Sequence, residues 1–296
     1  MPNSLELAKK FQQIMDEVYK LGSLTADLDG LTKPINNAGA NEVLIYKTTV
    51  VGLGDYSKST GYPAGDVTGA WETIKLEKDR GRSFSIDAVD DEEMLGMAMG
   101  QTGGEFMRTQ VVPEIDAYRF QKWVQASGVS TVTAATLDTS ANVLAAIDAA
   151  MLQMDEDEVP SEGRRLYISA TCYSLLKGAV TRQLANDANV SRILQSLDGV
   201  SIKPVPQKRF YTKITLNTGS ASNAGGFTKA ADGLDLNFIL MHPSARDQAV
   251  KHNVSRVFSP EVNQTADAWL LQYRVYHDTW VYDNKVDGIY YHSKAS

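Results

Sequence analysis

Residues 42–93 read EVLIYKTTVVGLGDYSKSTGYPAGDVTGAWETIKLEKDRGRSFSIDAVDDEE. Three strand-like runs stand out in this stretch, at 42–51, 71–79 and 82–89. In the last, Phe84, Ile86 and Ala88 alternate with Ser83, Ser85 and Asp87, the period of two expected of a strand with one covered face. Between the first two runs lies a polar segment, residues 52–69, with five glycines and one proline. A polar loop of that length inside a compact domain is either functional or disordered. A two-stranded ribbon this long has little core beneath it and is marginal by itself. It is better accommodated lying across another molecule, with Asp55, Tyr56, Lys58 and Tyr62 as candidate contact residues.

Upstream, residues 4–21 predict an amphipathic helix. Leu7, Phe11, Ile14, Val18 and Leu21 recur at steps of four and three and so share one stripe. Asn3 or Ser4 can cap its start and Gly22 can end it. A helix of this length is marginal alone in water. Burying its five apolar side chains contributes roughly 7–15 kcal/mol gross, so it needs a partner surface. That surface is either the chain's own core or a neighbouring subunit, and Leu7, Phe11, Ile14 and Val18 are the candidate contacts. Residues 22–41, with Asp, Asn, Gly and Pro34, read as a mobile connector.

Downstream, residues 91–126 predict a second helical stretch. Asp90 and Asp91 are plausible caps, and Glu92 and Glu93 suit the positive end of the helix dipole. Gly96, Gly100, Gly103, Gly104 and Pro113 argue against a straight helix. The stretch is either two helices broken near Thr102–Gly104 or one long helix whose bends are held by packing; the second is preferred. A helix starting near Ser140 presents Val143, Leu144, Ile147, Met151 and Met154. An acidic turn, DEDEVPSEG, leads into the strand RRLYISA and a short helix around Tyr173–Leu176. A strand at 199–205 is closed by Pro204 and Pro206, a Gly/Ser/Asn-rich surface loop spans 217–226, and the apolar run 236–245 reads as a buried strand. The end of the chain, WLLQYRVYHDTWVYDNKVDGIYYH at 269–292, predicts a long strand, a polar turn and a short strand. Large side chains on both faces place it centrally in a sheet, covered by the long helix.

The composition excludes several classes of function. With 296 residues, 43% hydrophobic and 22% charged, the chain is of ordinary globular type. No run approaches the ~18 apolar residues of a membrane helix, and the first residues lack the apolar core of a secretory signal. The net charge is −7, and the lysines of the first segment are outweighed by acids, so no basic arm for gripping nucleic acid is present. A single cysteine, Cys172, fits a reducing compartment, and its apolar context predicts a buried, inert thiol. No P-loop, HExxH, CxxC or GxSxG pattern occurs. The four histidines, His242, His252, His277 and His292, lack ligand-like spacing. The acidic runs Asp155–Glu158 and Asp87–Glu93 are better explained as a solvated turn and as helix capping than as cation sites. No catalytic residue, cofactor or metal is expected.

Three stretches carry a family resemblance: KLEKDRGRSFSIDAVDDEE at 75–93, EFMRTQVVPEIDAYRF at 105–120 and VYHDTWVYDNKVDGIYYH at 275–292. Together with the order of the elements around them, they make the chain resemble the major capsid proteins of tailed bacteriophages, over essentially its whole length. The resemblance implies the HK97-like capsid fold, an α+β class. An N-terminal arm would span 1–41, and an extended two-stranded loop with its flanking strands 42–89. A spine helix and peripheral-domain residues would follow over 90–137, an apical domain over 138–244, and peripheral-domain strands over 245–296.

The same resemblance implies a structural protein, not an enzyme. Its copies would form pentamers and hexamers of an icosahedral head enclosing double-stranded DNA without sequence-specific binding. A separate scaffolding protein and a portal would be its partners, no membrane would be involved, and assembly would occur in the bacterial host cytoplasm before residence in the virion. Some members of the family crosslink a loop lysine to a neighbour's asparagine; Lys58 and Asn284 lie in the right kinds of segment, but the plain reading of Lys58 is a solvated or salt-bridged lysine. Competing expectations are an encapsulin-like shell holding a cargo enzyme, a tube or connector subunit of a virion, and a hydrolase using the acidic clusters.

Overall fold

The run LNFILM forms a strand buried at every position, Leu236–Met241, and the rest of the fold is layered around it. The computed structural model describes residues 22–28, 42–93, 103–131, 134–179, 195–220 and 224–295. The helix expected over 4–21 and residues 94–102 of the expected spine lie outside them. In chain order the strands are β1 (Glu42–Val50), β2 (Val67–Lys75), β3 (Lys78–Asp87), β4 (Ser130–Thr131), β5 (Arg165–Ser169), β6 (Ser196–Leu197), β7 (Val200–Val205), β8 (Ile214–Leu216), β9 (Phe227–Lys229), β10 (Leu236–Met241), β11 (Arg246–Phe258), β12 (Ala268–Val281) and β13 (Ile289–Ser293). The α-helices are α1 (Ala88–Glu93), α2 (Val112–Val124), α3 (Ser140–Glu156) and α4 (Ala170–Ala179).

A six-stranded mixed sheet has the order β4-β13-β10-β5-β7-β6. Along β10, Phe238 and Leu240 enter a core shared with Val143, Ile147 and Met154 of α3 and Leu176 of α4. Leu236, Ile239 and Met241 enter a second core with Phe120, Trp123 and Val124 of α2. The next strand divides the same way, Leu166 and Ile168 to one core and Tyr167 to the other. Helices thus cover both faces, which is why these strands are continuous apolar runs without alternation. Helix α3 starts where expected, its N-cap Thr139 Oγ1 accepting from the Asn142 amide at 3.2 Å.

The second sheet has three strands, β11-β12-β3, all antiparallel. The fourteen-residue β12 is its central strand, as its two aromatic faces suggested, and α2 lies across it. Tyr118 donates to Asp278 at 2.8 Å and Trp123 Nε1 to Thr279 at 3.0 Å. From Gly103 onward the helix is continuous through a π turn at Met107–Val111. Pro113 follows directly after it; inside a continuous helix a proline removes one backbone bond and crowds the preceding turn, and the wider turn absorbs the mismatch.

Several expectations are corrected. Residues 22–28 of the expected mobile connector are packed against the body, with Thr25 and Leu28 buried, because their polar groups find partners inside it. The cap of α1 is Asp87, whose carboxylate accepts from the Val89 amide at 2.9 Å; Asp90 and Asp91 fall within the helix. Pro204 lies inside β7, paired with Ile168 on one side. Among the described residues β6 pairs only with Val200 and Ser201, which suits a proline that has no N–H to donate. The described residues of the 217–226 loop lie at the surface as expected, and two of its carbonyls are tied to β3: Arg80 donates to Asn217 O at 2.8 Å and Arg82 to Gly219 O at 3.2 Å. The last strand, β13, sits between β4 and β10 in the six-stranded sheet while β11 and β12 belong to the other, so residues 245–296 are shared between the two sheets.

Candidate assembly surfaces

Strands β1 and β2 make a ribbon of their own, paired antiparallel from Glu42↔Lys75 to Val50↔Val67. Successive side chains point to opposite faces. One face carries Val43, Ile45 and Ile74, which pack at the root of the ribbon on Trp280, Tyr276 and Tyr282. Further out on that face, Lys47 bridges Glu72 at 2.5 Å and Asp283 at 2.9 Å. The two carboxylates hold the ammonium pKa above its usual value, chiefly through the Asp283 hydrogen bond. The root is therefore fixed by apolar packing and an ion-pair clamp.

The opposite face has no cover among the described residues. Tyr46 and Trp71 face each other in the ladder, with ring centroids 5.0 Å apart, and Val50 lies across from Val67. All four side chains are exposed, as are Val51, Leu53, Tyr56 and Tyr62 in the connecting loop. Leu53 is 107% and Tyr62 89% exposed, so these large apolar groups have little contact with the described residues. The loop is internally ordered: Ser57 and Gly61 exchange backbone hydrogen bonds at 3.2 and 2.8 Å, and the Tyr56 and Tyr62 rings lie 5.0 Å apart. The Tyr46 ring lies over Gly69, and a Cβ there would push the exposed ring aside. An apolar strip held away from the body in a defined shape is what a docking surface looks like.

A groove of about 710 Å³ runs between β3, the start of the α2 region and the 217–226 loop. Phe84, Ile86, Phe106, Val111, Tyr273 and Val275 floor it, and the Arg80–Glu114 ion pair at 2.7 Å closes one wall. Phe84 and Ile86 are therefore half-buried, as the alternation predicted. His277 also borders the groove but is itself buried; burial above all, with Arg119 nearby, lowers its pKa to about 4.

Below the groove, α2 and β12 are joined by a buried polar layer. Asp278 accepts from Tyr118, from the Glu77 amide at 2.9 Å and from the Thr279 amide at 2.8 Å. Burial, then the Asp278 charge, pushes the Tyr118 hydroxyl pKa upward, so it remains a donor.

The structure brings Asp55, Tyr56, Lys58 and Tyr62 together in the ribbon's loop, all exposed. Leu7, Phe11, Ile14 and Val18 lie outside the described residues. Sequence reasoning missed Tyr46, Val50, Val67 and Trp71 as one surface, although the alternation Leu44, Tyr46, Thr48, Val50 contained half of it; the register completes the face. Asp155 of the acidic turn pairs with the buried Arg164 at 2.7 Å. Cys172 is buried, and burial raises its thiol pKa. Among the described residues no group of three His, Cys, Asp or Glu side chains is arranged to hold a metal ion, and no helix is long and apolar enough to cross a membrane.

No protein-family model matches the chain, and no curated protein sequence does. Solved structures do. The capsid structure of the Cyanophage P-SCSP1u superposes with a TM-score of 0.65 at 14% identity, over 99% of this chain and 94% of that one. The mature capsid of bacteriophage PhiM1 gives 0.62 at 15% identity, over 97% and 92%. A virus-like particle from Pyrococcus furiosus gives 0.50 at 9% identity, over 86% of each chain. Over 86–99% of its length the chain shares the mixed α+β fold of these structures.

Proposed function

We propose that this chain is the major capsid protein of a tailed bacteriophage, a structural subunit and not an enzyme. The observation that carries this reading is the exposed apolar ribbon, on a chain whose whole length follows the fold of phage capsid subunits. A solitary molecule gains nothing from eight large apolar side chains in water, whereas repeated copies cover them for each other.

In this reading residues 42–89 are the extended loop of an HK97-like subunit, lying over a neighbour, and residues 90–137 contain the spine helix. The six-stranded sheet with α3 and α4 is the apical domain, expected over 138–244, together with β4 and β13. The three-stranded sheet is the peripheral domain. Residues 1–41 are the N-terminal arm, with Leu7, Phe11, Ile14 and Val18 as contacts. The subunits form pentamers and hexamers of an icosahedral head around double-stranded DNA, which the chain's net charge of −7 suits as a wall rather than as a specific binder. A separate scaffolding protein and a portal complete the assembly, which takes place in the bacterial cytoplasm before the protein becomes part of the virion.

An encapsulin-like shell is the second reading, and the likeness to the virus-like particle from Pyrococcus furiosus favours keeping it. Electron microscopy of the purified, expressed protein tests both. Closed shells are expected; rings or open cylinders would point to a connector or tube and overturn the proposal. In particles from the native source, packaged DNA supports a phage head, and a tightly held cargo protein replaces it with a compartment.

A further inference from the structure

Asp116 sits on α2, fully buried, and its carboxylate receives four hydrogen bonds. One comes from Arg209 Nη1 at 3.1 Å, also an ion pair. The other three come from a single short segment more than ninety residues away: Ser23 Oγ at 2.9 Å, the Leu24 amide at 3.0 Å and Thr25 Oγ1 at 2.7 Å. Arg209 also donates to Gly22 O at 3.1 Å, so the same pair grips the segment at its first described residue. A buried carboxylate without partners is costly, and one whose partners lie on a distant segment favours a single position for that segment.

The segment is held at two further points. Asp27 pairs with Arg165 on β5 and with Lys203 on β7, the latter at 2.5 Å. The carbonyl of Leu28 accepts from Arg246 on β11 at 3.2 Å, and the Leu28 side chain fills the core under α2. Residues 22–28 thus form a strap tied to the helix and to both sheets.

We propose that Asp116 is a positioning residue for assembly: through Ser23, Leu24 and Thr25 it fixes the point and direction from which the preceding chain reaches a second copy of this protein. The inference rests on the reading of residues 1–41 as an arm. The clasp works because hydroxyl and amide donors converge on one carboxylate, so removing the two hydroxyls loosens the strap at Asp116 without unpairing Asp116 from Arg209, although Thr25→Val also gives up the bond that the Thr25 hydroxyl accepts from Arg119 at 2.8 Å.

The test uses the full chain with Ser23→Ala and Thr25→Val together. Amide exchange at Leu24 should accelerate roughly tenfold or more once two of the clasp's bonds are gone. The unassembled subunit should keep its fold, while the yield of regular particles falls several-fold. Thr25→Ser, which keeps the hydroxyl, should restore both readouts, an outcome that general loss of stability does not produce. If the double variant does not fold, Ser23→Ala alone carries the same readouts. Faster exchange at Leu24 with unchanged particle yield and size overturns the positioning role, and unchanged exchange overturns the clasp itself. Phe11→Asp with Ile14→Asp serves as the control for the arm. If it assembles normally, the arm reading has failed; if it does not and the clasp variant does, only the clasp has.

Discussion

Replacing Leu53 and Tyr62 together by serine removes the two most exposed apolar groups of the ribbon's loop. Neither change should matter to the subunit alone. Residues 48–71 are solvent-exposed apart from Ser57 and Gly61, which cover each other across their bridge, and substitutions at such sites stay within about 0.5 kcal/mol. Tyr62 also gives up its ring contact with Tyr56, a loss of about 1 kcal/mol confined to the loop. In a shell the same side chains are covered by a neighbour. Full burial would contribute about 1.5–3 kcal/mol each, so covering them by half gives about 1.5–3 kcal/mol per contact for the pair. That corresponds to a loss of roughly 10- to 150-fold in the apparent association constant. Sedimentation across a concentration series would read the shift in the onset of assembly, and thermal melting below that onset would read the subunit. Assembly at the original concentration would refute the docking role. A matching fall in subunit stability would show instead that the loop packs on its own chain.

Three further outcomes are expected. Deleting residues 55–67 should leave a folded subunit by circular dichroism that forms few or no particles; normal shells from that protein would remove the ribbon from the assembly. Trp123→Ala should destabilise the subunit by about 3–5 kcal/mol in urea denaturation, since this side chain is fully buried between two sheets and bonded to Thr279; a loss below about 1 kcal/mol would contradict the central place given to α2. His277, kept neutral by burial with a folded pKa of about 4 against an ordinary value of 6.5, takes up its proton in the unfolded chain first. Stability should therefore fall as pH drops from about 6.5 to 4, by up to about 3 kcal/mol from this group. His277→Phe should flatten that part of the profile of melting temperature against pH, and an unchanged slope would mean that the acid response lies elsewhere.

Much of this architecture was legible in the pattern of residues. Alternation at 82–87 gave a strand with one covered face, the apolar face from Val143 to Met154 gave α3, and aromatics on both sides of 269–281 marked a central strand. The ribbon was recognisable from its glycines and from the shortage of apolar residues that could lie beneath it. Local chemistry decides these features, since strand alternation, helix caps and turns depend on residues a few positions apart.

The tertiary structure decided what distant residues do for one another. Nothing in SLTADL at 23–28 distinguishes it from a loop until Asp116, Arg209, Arg165 and Arg246 come within reach. The uncovered face of the ribbon needed the pairing of Tyr46 with Trp71, which a one-residue slip would have sent to the other side. The return of β13 to the six-stranded sheet depended on which buried edge was free to take it. A sequence specifies the periodicity of each segment, but a buried charge, a register and a sheet order are each fixed by partners scores of residues away, and those contacts exist only once the chain has closed on itself.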